Sequence, residues 1–229
     1  MSIFSYLKSS ILSKMVMAVT GVMLVLYIVI HTVGNLLIYL GPDSINSYSQ
    51  FLHSLGPLLW VVRAGLILAA VLHVWTSIAL KLDNLDAKPD KYAVKRYVKA
   101  KLTSRTMLWT GIAIFLFVIY HVSHLTLGST HPEHIDTEIV NNIERTKVYD
   151  MVILGFKSPF VSIGYIIAVV IVGFHLNHAI QSMFQTLGLN HPSYFPRIQK
   201  CSVSLSVLIV LCLVSIPITI LLGIVGGSI

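Results

Sequence analysis

Charge is what this chain has least of. Only 11% of its 229 residues are Asp, Glu, Lys or Arg, sixteen basic and nine acidic, against 55% that are apolar. So few charged side chains cannot cover a water-exposed body of this size. A soluble globule is excluded and a lipid-embedded chain is left, in agreement with the mean hydropathy of +0.82. Cysteine is nearly absent too: Cys201 and Cys212 lie in or beside one apolar run, about three helical turns apart and too distant to bridge along a helix. No disulfide framework or zinc ribbon can be built. Acidic residues are missing from every long apolar run, which argues against a carboxylate-based ion pump or proton relay.

What the chain has in abundance is long hydrophobic stretches. A bilayer core of about 30 Å takes roughly 20 helical residues, and five runs qualify: residues 15–40, 57–80, 107–127, 160–187 and 203–224. Gly41-Pro42-Asp43 stops the first, Gly56-Pro57 opens the second, Ser158-Pro159 opens the fourth and Asn190-His191-Pro192 closes it. The expected fold is an all-α integral membrane protein, one domain over residues 1–229. The first run is expected to stay as a structural helix, since it exceeds a signal-peptide core and lacks an A-x-A-like cleavage site. Ser44 to His53, with Ile45, Tyr48, Phe51 and Leu52, reads as a short amphipathic helix in the outer interface.

Basic residues set the expected orientation. Lys8 and Lys14, the eight Lys and Arg from Lys81 to Arg105, and Arg197 with Lys200 make twelve of the sixteen, all on one side of a five-span arrangement. That side should be cytoplasmic, with the N-terminus, so the chain belongs in a bacterial cytoplasmic membrane as a multi-pass protein. Basic residues confined to short connections indicate membrane topology and some attraction to anionic lipid, not nucleic-acid binding. Trp60 and Trp109 fit an aromatic belt.

Ionisable side chains at membrane depth are rare and mark function. They are His31 in the first run, Arg63 and His73 in the second, His121 and His124 in the third, and His175 and His178 in the fourth. At 1.5 Å per residue, His31 lies about 24 Å and His121 about 21 Å above the cytoplasmic helix ends, while His73 lies about 10 Å and His175 about 18 Å from them. Two helices thus offer an outer histidine and two an inner one. Four such imidazoles suit two stacked bis-histidine haems in a four-helix bundle, with a ligand-free, peripheral fifth helix. Glycines at 21, 34, 111, 164 and 173 would admit a porphyrin or a neighbouring helix. His124 and His178, three residues beyond the outer and inner ligands of their helices, share their faces. They stand as alternative ligands, or as hydrogen-bond partners of a propionate, a quinone or a carbonyl. Arg63, about 10 Å inside its helix, suits a haem propionate or a quinone carbonyl. His53 is an exposed side chain, with a quinone role as the minority reading, and His131, His134 and His191 read as solvated loop residues.

These features together resemble a known family. The stretches His31-Thr32-Val33-Gly34-Asn35, Leu72-His73-Val74, Tyr120-His121-Val122-Ser123-His124 and Phe174-His175-Leu176-Asn177-His178, and the run from Gln185 to Pro192, are similar to the di-haem cytochrome b anchor subunit of succinate dehydrogenase and fumarate reductase, the five-helix b558 type. The resemblance implies that His73 and His175 ligate a proximal haem b and His31 and His121 a distal one. It implies electron transfer between an iron–sulfur subunit, docked with a flavoprotein subunit on the cytoplasmic face, and a membrane quinone, menaquinone ahead of ubiquinone. Dicarboxylate chemistry is not expected in this chain. Some members carry a helix-four glutamate for proton transfer; here Gly173 and Phe174 precede His175, which puts such a path in doubt. Two other readings compete: a haem b anchor of another respiratory oxidoreductase, and a small transporter with structural histidines. The transporter is disfavoured by the missing acidic residues and the lack of repeat symmetry.

Overall fold

The computed structural model describes residues 10–87 and 102–227. Helix α1 (Ser10–Leu36) continues into a 3-10 turn, Leu37–Leu40. Gly41, at φ 94°, then breaks the chain, and α2 (Pro42–Ser54) starts on a proline at its first turn. Gly56, at φ 53°, makes the next corner, again just before a proline, and α3 (Pro57–Asp86) follows. Helix α4 (Leu102–His121) passes without interruption into one π-helical turn, Val122–Thr126. Strands β1 (Thr137–Val140) and β2 (Ile143–Thr146) precede α5 (Val148–Lys157), α6 (Pro159–Thr186) and α7 (Phe195–Leu221).

Five of these helices, α1, α3, α4, α6 and α7, are long and apolar enough to cross a membrane. Their flanks bear that out. Ile30, Val33, Leu68, Trp75, Leu116, Ile167, Leu208 and Leu211 are all largely exposed, a surface that lipid tolerates and water does not. The chain is a multi-pass membrane protein, chiefly helical. The helices outrun the expected spans at several ends: α3 continues to Asp86 and α7 begins at Phe195. Hydropathy marks only the part in hydrocarbon, whereas the backbone hydrogen-bond ladder runs on into the interface.

Helix α1 packs on α3 and α6, and α4 packs on α6. Between α1 and α4, α3 and α6, and α3 and α4, backbone approach is sparse by comparison. The fifth span, α7, packs most extensively on α6 and also touches α1; Ile209 of α7 joins Leu176 and Ile180 of α6 in one buried cluster. Gly173 of α6 sits against the Val210 side chain, so a Cβ there would collide. Helix α7 is thus a packing partner of the fourth span. Six of the eight basic residues between Lys81 and Arg105 (Lys88, Lys91, Lys95, Arg96, Lys99 and Lys101), and Lys8, lie outside the described residues.

The connection at 128–157 is built. It forms a hairpin with the register Thr137↔Thr146, Glu138↔Arg145, Ile139↔Glu144 and Val140↔Ile143. Its two turn residues, Asn141 and Asn142, sit at φ 51° and 60°, the pair of positive angles that a type I′ turn needs and asparagine tolerates. With this short hairpin the chain is still chiefly helical, in keeping with the all-α expectation. Helix α5 is apolar but only ten residues long, too short to span. It is buried instead: Ile153 is fully enclosed and joins Ile38, Ile45, Phe156, Ile216 and Ile220 in a core that caps this end of the helices. Arg145 pins the hairpin to α2, donating to Asp43 Oδ1 at 2.6 Å, Glu138 Oε1 at 2.7 Å and Ser47 Oγ at 3.0 Å. Asp43, then Glu138, raise the Arg145 pKa above its ordinary value. The Lys147 ammonium holds Asp136 below the usual carboxylate range across a 2.6 Å contact.

Candidate cofactor site

Two of the four histidines meet where α1 and α4 approach each other. His31 on α1 and His121 on α4 face each other with ring centroids 5.7 Å apart and planes at 82°. Two imidazoles on one metal ion, each bonded at about 2 Å, place their ring centres roughly 6 Å apart, so this pair stands near that spacing. The ionisable side chains that His175 of α6 feels are His73 of α3 and His178. His121 Nδ1 is buried with no hydrogen-bond partner among the described residues.

The inner histidines share a support that the spacing did not reveal. Thr20 Oγ1 lies 3.2 Å from His73 Nδ1, and Thr110 Oγ1 lies 3.0 Å from His175 Nδ1. Each hydroxyl has one proton, and each already donates it back along its own helix, Thr20 to the Val16 carbonyl at 2.7 Å and Thr110 to those of Thr106 and Met107 at 3.1 Å. With the hydroxyl proton kept on its own helix, the oxygen is free to accept from the imidazole; in that tautomer the proton sits on Nδ1 and a lone pair is left on Nε2. That is the tautomer a metal-ligating histidine needs. The next residue in both cases is glycine: a Cβ on Gly21 would stand 3.5 Å from the His73 ring, and one on Gly111 3.6 Å from the His175 ring. Two Thr-Gly pairs, on α1 and α4, thus cradle two histidines on α3 and α6. On this donor chemistry the residues present fit haem iron.

The other glycines differ. Gly34 lies against the Tyr48 ring of α2, where a Cβ would come within 2.8 Å. Gly164 has open space around it and lines an apolar groove of about 450 Å³ between α4 and α6 with Phe117, Tyr120, Phe160, Val161, Tyr165 and Ala168. The floor of that groove reaches the outer pair, since the rings of Phe117 and Tyr165 lie 5.7 and 5.8 Å from that of His121.

Arg63 is half-buried with its guanidinium 5.0 Å from the Trp60 ring. The Tyr27 ring stacks on His31 at 5.5 Å. His53 is exposed, 3.0 Å from the Ser49 carbonyl of its own helix. His178 lies one turn along α6 from His175. His124 falls in the π-helical turn, a feature common at functional sites; it is 2% exposed and 2.9 Å from the hydroxyl of Tyr165 on α6, the ring that His121 also stands against. Gly155 of α5 is what admits it, for a Cβ there would lie 2.9 Å from His124 Nε2. His131 and His134 were expected to be separate solvated residues. They stack at 4.9 Å, with Glu133 beside them.

Comparison with protein-family models, with curated proteins and with solved structures found no match to this chain.

Proposed function

We propose that this chain is a di-haem cytochrome b membrane-anchor subunit that passes electrons between the iron–sulfur subunit of a succinate:quinone oxidoreductase and a membrane quinone. The observation that carries the reading is the histidine geometry: one outer pair edge to face at 5.7 Å, and two inner imidazoles whose Nδ1 stands 3.0–3.2 Å from a threonine hydroxyl, an arrangement that suits Nε2 as a ligand. A buried imidazole nitrogen with no partner costs about 1–3 kcal/mol, so the orphaned Nδ1 of His121 also favours a site with something to bind.

In this reading helices α1, α3, α4 and α6 form an antiparallel four-helix bundle. His31 and His121 hold the distal haem, and His73 and His175 the proximal one. Haem held by two histidines supplies a one-electron carrier with no open position for oxygen. The chain's own part is positional. Thr20 and Thr110 fix the rotation of the inner imidazoles, Gly21 and Gly111 let the rings seat close to the neighbouring helix, and Arg63 offers a fork-shaped cation to a distal propionate or a quinone carbonyl. The N-terminal side is cytoplasmic, and its basic connections, mostly between Lys81 and Arg105, meet the iron–sulfur subunit, with the flavoprotein beyond it. Quinone is exchanged at the outer tier, the end remote from those subunits, because a second haem serves transfer only if electrons enter or leave there. Menaquinone is the proposed carrier.

The test is a reduced-minus-oxidised spectrum and a pyridine haemochrome assay on the purified chain. Two haems b per polypeptide are expected, with one lost in each of His73→Ala and His175→Ala. One haem or none in the native chain would overturn the reading. Retention of both in His175→Ala, with loss in His178→Ala, would assign the ligand to the wrong member of that pair.

A further inference from the structure

Outside the spans, the outer connection gathers three side chains with the chemistry of a metal site. His131, Glu133 and His134 each offer one donor atom, and all three atoms lie within 4.8 Å of one another. His131 Nδ1 stands 2.9 Å from Glu133 Oε1, and His134 Nε2 stands 4.0 Å from the same oxygen. A tetrahedral ion with bonds of about 2.0 Å spaces its donors about 3.3 Å apart, so small side-chain rotations bring the three into register.

The local fold holds the three residues in place. Pro132–His134 is one 3-10 turn, closed by a hydrogen bond from the His134 amide to the His131 carbonyl at 3.1 Å. That turn brings the imidazoles to 4.9 Å and within 14° of parallel. Behind them His124, buried, contacts the His131 ring at 5.7 Å, which backs the turn onto the π-helical end of α4. His134 Nδ1 is buried without a partner, while its Nε2 faces the carboxylate. No cation shares the carboxylate of Glu133 in the ion pairs of the described residues; its contacts are the two imidazoles.

We propose that His131, Glu133 and His134 form a zinc-class divalent metal site on the side of the membrane opposite the N-terminal arm, with two imidazoles and one carboxylate as ligands and a fourth position open to water. Two nitrogens and one oxygen suit borderline ions such as Zn2+; Ca2+ and Mg2+ seek all-oxygen shells, and no thiolate lies in the group to favour a softer ion. The site stands apart from the haem reading, because its residues lie beyond the spans and share none of the four proposed haem ligands.

The experiment is Zn2+ titration of the full-length chain in detergent, without a histidine tag, against a chromophoric chelator, with X-ray absorption at the zinc edge on the loaded native protein. One ion per chain is expected, its nearest shell made of nitrogen and oxygen with the signature of two imidazoles. The His131→Gln and His134→Gln variants should each bind at least 10-fold more weakly, the loss that even outer-sphere changes commonly cause at metal sites. Stoichiometric binding that survives the double variant, or a shell with sulfur or fewer than two imidazoles, places the ion elsewhere and overturns the proposal. An adventitious ion only, with no saturable binding at micromolar Zn2+, overturns it as well. The X-ray measurement needs no variant, so it stands even where a substitution disturbs folding.

Discussion

Thr20 and Thr110 are unremarkable membrane residues until their partners are known. Each spends its proton on a carbonyl of its own helix, which is the ordinary behaviour of threonine in a helix. That habit leaves the oxygen free to accept from Nδ1 of His73 or His175, which favours the tautomer with a lone pair on Nε2. Neither threonine touches the proposed iron, so both are positioning residues. In Thr20→Val or Thr110→Val the imidazole can turn or change tautomer. Retention of the inner haem is expected to weaken about 10- to 100-fold, as for other outer-shell partners of metal ligands, and its reduction potential to move. Thr20→Ser and Thr110→Ser keep the hydroxyl and should restore both properties. Redox titration with haem quantitation checks this. An unchanged potential and haem content in both valine variants would reduce the two hydrogen bonds to packing.

Helices, strands and their ends carry a different kind of information. The Asn141-Asn142 turn was readable in principle, since Thr137-Glu-Ile-Val and Ile143-Glu-Arg-Thr flank two residues that tolerate positive φ. The flanking strands lack strict alternation of apolar and polar residues, so the signal was weak against a background of membrane helices. Helix α5 was hidden for another reason: ten apolar residues are too few for a span, and hydropathy alone does not separate a short buried helix from a loop. The hairpin and the Lys81–Arg105 connection are expected on opposite faces of the membrane. Ile139 is 78% exposed at the hairpin, so Ile139→Cys and Lys95→Cys, each in a chain with Cys201 and Cys212 changed to Ser, should react with an impermeant maleimide from opposite sides of sealed vesicles. Labelling of both from one side would break the five-span topology and the cytoplasmic docking face together.

Taken as a whole, the molecule has an apolar coat, with large hydrophobic side chains exposed along the five long helices. The outer end is elaborated by α2, the hairpin and α5, and it also carries the groove floored by Tyr165 and Phe117 next to His121. If quinone is exchanged at that end, Arg63→Leu complexes that retain both haems should lose quinone-linked turnover by about 10-fold or more, the scale of losing one charge-assisted contact of roughly 1.5–3 kcal/mol. His53→Ala should change turnover little, because His53 is bonded within its own helix and not brought to the outer pair. Ala168→Trp, which fills the groove, tests the other placement at the same end. Full turnover in both Arg63→Leu and Ala168→Trp would move the site to the inner tier.

The sequence by itself determined the number of helices long and apolar enough to span and the amphipathic α2, because hydropathy and helical rise act locally and add up along the chain. Only the tertiary structure decided which side chains meet. Thr20 lies 53 residues from His73 and Thr110 lies 65 from His175, and whether such residues touch depends on how each helix is rotated about its axis, which interhelical packing fixes. The burial of His124 against Gly155, which makes room for its ring, is likewise a matter of how α5 packs on the π-helical end of α4. His131 and His134 are near in sequence yet became neighbours only through the 3-10 turn between them, since a loop's backbone angles, not its composition, set where its side chains converge.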